Sequence, residues 1–101
     1  MTNRVVYFNG RLVPEWEARV SIYDSGLIMG DMAFEVSRTC GHRPYKLEEH
    51  LRRLYETLAR LEIDPGLSLP ELLDVTLDTL RQNLPTEAED VDWNVIHNVS
   101  R

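Results

Sequence analysis

One cysteine, Cys40, is all the sequence holds. No internal disulfide can form, and nothing argues for an oxidising compartment. Lysine is equally scarce. Lys46 stands alone, and the other ten of the 11 basic residues are arginines. Any chemistry that needs a lysine has a single candidate here. The charge balance lacks a basic excess, at a net -6. That excludes a general binder of nucleic acid or of an anionic membrane, since either needs a basic footprint. No apolar run approaches the roughly 20 residues of a membrane span. The opening MTNRVVYF lacks the long apolar core of a secretory signal. A cytoplasmic location is the expectation. At 101 residues the chain is one domain with a modest core.

The apolar pattern then divides the chain. Val5–Phe8 and Arg11–Val13 flank Asn9-Gly10, the strongest two-residue hairpin signal because both residues tolerate positive φ. Pro14 is expected to end the second strand. Residues 18–23 alternate, with Ala18, Val20 and Ile22 on one side, and read as a half-buried strand. Asp24-Ser25-Gly26, Leu27-Ile28-Met29 and Gly30-Asp31 follow, expected as a compact loop or a single helical turn.

Residues 32–39 alternate again. Met32, Phe34, Val36 and Arg38 share one face; Ala33, Glu35, Ser37 and Thr39 share the other. A charge on each face implies an edge strand or a polar cavity. The chain turns at residues 40–43, and Pro44 marks the return through Lys46 as an edge strand.

Leu47 opens the clearest helix. Leu47, Leu51, Leu54, Leu58 and Leu61 form one stripe. Glu48–Arg52, Glu49–Arg53 and Glu56–Arg60 are spaced as i,i+4 ion pairs with the acid first. On that pattern Arg53 is a solvated partner of Glu49. Asp64-Pro65-Gly66 stops the helix. Ser68-Leu69-Pro70-Glu71 is a capping box that starts a second helix, ended by Pro85. Residues 93–101 alternate as a last strand, which breaks off without a cap. The fold class expected is α+β: an antiparallel sheet of about five strands with two helices on one side.

Three motifs carry a family resemblance: Gly26-x-x-x-Gly30-Asp31-x-x-Phe34-Glu35 with Arg38 after it, Glu49-His50-Leu51-Arg52-Arg53-Leu54, and Ser100-Arg101. In this order they make the chain resemble the small N-terminal domain of class IV (fold-type IV) pyridoxal-phosphate-dependent aminotransferases. That group includes branched-chain and D-amino-acid aminotransferases and aminodeoxychorismate lyases. The resemblance implies that Arg53 grips the phosphate of pyridoxal 5'-phosphate. It implies that Phe34 lines the substrate pocket, that Arg101 stands near a substrate carboxylate, and that Arg38 and Met29 border the same pocket. His50 is expected to orient the helix. Departures leave the substrate open. Met29 replaces an aromatic residue of many relatives and Ser25 an arginine. Phe34 lacks the hydroxyl of the D-amino-acid branch, and Val99 replaces a frequent branched-chain tyrosine.

The family's Schiff-base lysine lies in a second, C-terminal domain. Lys46, just before the helix, does not match it. The expectation is therefore a single domain over 1–101, cut at the interdomain connection, with no catalytic residue of its own. It would be inactive alone and is not expected to bind the cofactor alone. The parent would be a homodimeric aminotransferase acting on amino acids and 2-oxo acids, branched-chain first and D-amino acids next. The alternatives are a fragment of a lyase and a stand-alone binding or oligomerisation domain. No metal, nucleic acid or membrane partner is implied.

Overall fold

The computed structural model describes residues 3–101. Among these residues five strands form, in line with the expected number of about five, but they divide into two antiparallel sheets instead of one. A hairpin pairs β1 (Val5–Phe8) with β2 (Arg11–Pro14). Asn9 and Gly10 both take positive φ, 48° and 99°, as a tight primed turn requires. The second sheet has the order β4-β3-β5, from β3 (Met32–Cys40), β4 (Arg43–Tyr45) and β5 (Asn94–Ser100). β3 is therefore central. The charges on its two faces mark a polar cluster and not an edge. β4 takes the edge expected of Pro44.

The strand expected over 18–23 does not form. No strand lies alongside to pair with its backbone, and both of its alternating faces meet solvent. Val20 is 64% exposed and Tyr23 79%. Local bonds turn the segment instead: Tyr23 N donates to Ser21 Oγ at 3.0 Å and Asp24 N to Ser21 O at 3.1 Å. Alternation without a burying surface specifies nothing. The glycine-bounded stretch after it is helical, α1 (Ser25–Met29). Asp24 caps it by accepting from Gly26 N at 2.8 Å, and Gly30 ends it in the left-handed region.

α2 (Leu47–Leu61) packs its leucine stripe on β3. Leu47, Leu51, Leu54 and Leu58 are buried, but Leu61 turns outward. Leaving the helix, Glu62 takes positive φ, which drives Ile63 back into the core. α3 (Leu69–Asn83) starts at the expected capping box: Glu71 N donates to Ser68 Oγ and Ser68 N to Glu71 Oε1. Tyr55 Oη donates to Leu67 O at 2.6 Å and ties the connection between the helices to α2. Both long helices cover one side of the three-stranded sheet, over Ala33, Glu35, Ser37 and Thr39. The other side is open, and Phe34, Val36 and Ile96 lie exposed on it.

Candidate functional site

Every polar group of the site stands where the alternation of β3 meets the periodicity of α2. Glu35 points to the covered face of β3 and is 8% exposed. His50 and Arg53 are one helical turn apart on α2, so both side chains reach the same carboxylate. Arg53 Nε donates to Oε1 and to Oε2 of Glu35, each at 3.1 Å, and Arg53 Nη2 also donates to Oε1. His50 Nδ1 lies 2.7 Å from the same Oε1.

A carboxylate buried by itself would be pushed toward its neutral form. Glu35 goes the other way, from 4.5 down to about 2: the Arg53 hydrogen bond outweighs burial, and His50 adds to it. Because Glu35 is ionised it can only accept. The His50 proton on this contact therefore sits on Nδ1. Lys46, Glu49, His50 and Arg53 line an open pocket of about 190 Å³ above this cluster. Lys46 takes the N-cap position of α2, with φ 52°, and is not part of the return strand.

Of the three ion pairs expected along α2, Glu48–Arg52 forms, at 3.3 Å. Arg53 does not pair with Glu49; it reaches Glu35 across the sheet. Sequence periodicity missed this because it describes one helix at a time. The available signal was a carboxylate among small residues on a face that α2 must cover.

The other predicted site residues lie elsewhere. Phe34 and Arg38 are on the open face of β3, opposite the face from which Glu35 meets Arg53. Phe34 is 65% exposed. Arg38 Nη2 donates to Asp92 Oδ2 at 3.0 Å beside the Gly41 turn. Met29 is exposed at the end of α1. Arg101 is clamped: Nε donates to Asp31 Oδ2 at 2.7 Å, Nη2 to Leu61 O at 2.7 Å and Nη1 to Glu62 O at 3.0 Å. It neutralises the C-terminal end of α2. That end lies about 12 Å along the helix from Arg53, at 1.5 Å per residue.

Below Glu35, its strand partner His97 is turned toward α3. Thr76 Oγ donates to Leu72 O at 2.7 Å, so at 2.9 Å from His97 Nε2 it can only accept. That places the His97 proton on Nε2. Burial disfavours a second proton and lowers the His97 pKa.

No family model matches the chain. Individual proteins do. A Methanocaldococcus jannaschii protein described as a branched-chain-amino-acid aminotransferase is 44% identical over 78 residues, 77% of this chain and 27% of that protein. A Bacillus licheniformis D-alanine aminotransferase is 42% identical over 67 residues, 66% of this chain and 24% of its own length. An aminodeoxychorismate lyase of Bacillus subtilis is 33% identical over 79 residues, 78% of this chain and 27% of the lyase. Among solved structures, the Thermoproteus uzoniensis branched-chain aminotransferase with norvaline superposes with a TM-score of 0.82 at 26% identity. The match covers 97% of this chain and 34% of that one.

Over most of its length the chain is similar to the N-terminal part of class IV aminotransferases. It spans about a quarter of the length of the curated relatives it matches. The pocket on α2 sets the cationic side chains of Lys46 and Arg53 beside His50 and the carboxylate of Glu49. Arg53 offers a planar fork of donors suited to phosphate oxygens.

Proposed function

We propose that this chain is the small domain of a pyridoxal-phosphate-dependent class IV aminotransferase, and that Arg53 holds the cofactor phosphate. The observation that carries the reading is the Arg53–Glu35–His50 cluster at the mouth of an open pocket. It fixes a guanidinium with its outer edge free. The cofactor, when bound, supplies an electron sink for amino-group transfer. The chain's own residues bind and orient its phosphate end. No step is assigned to Lys46, and the catalytic lysine is expected in a C-terminal domain that continues from residue 101.

Branched-chain amino acids and their 2-oxo acids are the proposed substrates, with D-amino acids next. The 44% identity to the archaeal protein favours the first. Phe34, Arg38 and Met29 would then border the substrate from the open face of the sheet once further chain covers it. Arg101 would need to leave part of its clamp to reach a substrate carboxylate. The exposed Phe34, Val36 and Ile96 support a covered state, either by the second domain or by a second copy in a homodimer. A cytoplasmic location agrees with the single, unpaired cysteine; no helix among the described residues is long and apolar enough to cross a membrane.

Two steps test this. The first is to read the source gene past the codon for Arg101. The second is to assay the encoded protein with branched-chain 2-oxo acids, D-alanine and aminodeoxychorismate in parallel. Amino transfer to branched-chain 2-oxo acids supports the proposal. A stop codon directly after Arg101 would point to a stand-alone binding domain. Turnover of aminodeoxychorismate alone would make it a lyase.

A further inference from the structure

We propose that Glu35 is the positioning residue of the anion site, with His50 as its prop: together they hold Arg53 side-on so that its outer edge is left to grip a phosphate. This rests on the phosphate reading given above and names how the chain prepares that site.

A guanidinium has five N–H donors. Glu35 takes Nε–H and one proton of Nη2. Nη2 also lies 3.4 Å from His50 Nδ1, but that nitrogen carries the proton given to Glu35 and cannot accept; both donors on Nη1 and the second on Nη2 remain, and these form the end-on fork. The side chain of Arg53 is 65% exposed. An exposed arginine with nothing to hold it samples many rotamers, and binding would have to freeze that freedom. Here the freezing is done before any ligand arrives, which is how preorganisation raises affinity.

The clamp is itself anchored. Glu35 sits on the central strand of its sheet, paired on one side with His97 of β5. His50 donates to Oε1 at 2.7 Å and stops the carboxylate from swinging.

The arrangement carries a cost that makes it testable by sign. Glu35 is a negative charge beside a site for an anion. As a mere neighbour it would repel phosphate, and neutralising it would tighten binding. As a positioning residue it has the opposite effect.

The test uses the full-length protein encoded by the gene, stripped of cofactor and labelled with 15N at arginine, with inorganic phosphate as the probe and the Arg53 Nε–H resonance as the readout. In the wild type that resonance is expected to be sharp, slow to exchange before phosphate is added, and shifted by the titration. E35Q is expected to speed its exchange and weaken phosphate binding about tenfold, as loss of a charge-assisted hydrogen bond does. R53A and R53K are both expected to abolish binding, since an ammonium cannot be held side-on and offer a fork as well. Tighter or unchanged binding in E35Q overturns the positioning role and leaves the anion site standing. No Arg53 shift in the wild type, or unchanged binding in R53A, overturns the anion site itself. Should E35Q fail to fold, H50A keeps the buried carboxylate and removes its prop. Faster exchange of Arg53 Nε–H and weaker phosphate binding in H50A uphold the proposal, and wild-type behaviour overturns it.

Discussion

Asn83 binds the backbone of Val5 as a neighbouring strand would: its Oδ1 accepts from Val5 N at 2.9 Å and its Nδ2 donates to Val5 O at 2.9 Å. Nδ2 also donates to Thr79 O at 2.8 Å. One buried amide thus ties the last turn of α3 to the first hairpin. Asn83→Ala leaves the Val5 groups without those partners and is expected to cost about 2–3 kcal/mol. Asn83→Asp loses the donors as well as adding a charge, and should cost at least as much. Urea unfolding of the three proteins checks both.

Gly26 has no room for a side chain. A Cβ there would stand 2.9 Å from Asp24 Oδ1 and 3.0 Å from Ser100 Cβ, both closer than ordinary contact. Gly26→Ala must push α1 away from the end of β5. A loss of about 1–3 kcal/mol is expected, the range for overpacking. Gly30→Ala is a useful contrast. It has open space but a φ of +68°, so its cost is backbone strain alone, about 1 kcal/mol. Denaturation of the two variants side by side separates crowding from strain.

Stability should fall on acidification in two steps. His97 has a lowered pKa in the fold, so its contribution is present above the unfolded value of about 6.5 and is lost as pH drops through the folded value. Glu35 is held at about 2 against 4.5 for a free carboxyl. Its contribution is full above 4.5 and disappears between there and about 2. His97→Gln is expected to flatten the upper step and Glu35→Gln the lower one in a thermal melt series across pH. A Glu35→Gln protein that keeps the full slope below pH 4.5 would contradict the assignment.

Arg101 joins three parts of the fold: β5, the Gly30-Asp31 corner and the end of α2. Arg101→Ala is therefore expected to lower the melting temperature and to speed amide exchange in the last turn of α2. A side chain that waits only for a substrate would leave both unchanged.

Where one surface buried one face, the sequence was legible. The leucines of α2 read correctly from Leu47 to Leu58 because all four meet the sheet. β3 and β5 read correctly because α2 and α3 cover one side of each. The Asn9-Gly10 turn and the Ser68 capping box are local chemistry and need no neighbours. The segment over 18–23 alternated as clearly as β3 but faced water on both sides, so its pattern carried no information. Leu61 continued the stripe to the last residue before Glu62 turns the backbone away, and there it faces outward. Part of the site was legible too. Arg53 stood out by family motif, while its partner Glu35 required knowing which strand α2 crosses. The asparagine that ties α3 to the hairpin left no trace in any periodicity.

The most direct measurement is the equilibrium affinity for pyridoxal 5'-phosphate of the full-length protein encoded by the gene, compared with its Arg53→Ala variant. Weakening of about tenfold or more is the result that a charge-assisted grip on the phosphate requires. An unchanged affinity would contradict the account and leave the Arg53–Glu35–His50 cluster as a tie between α2 and the sheet.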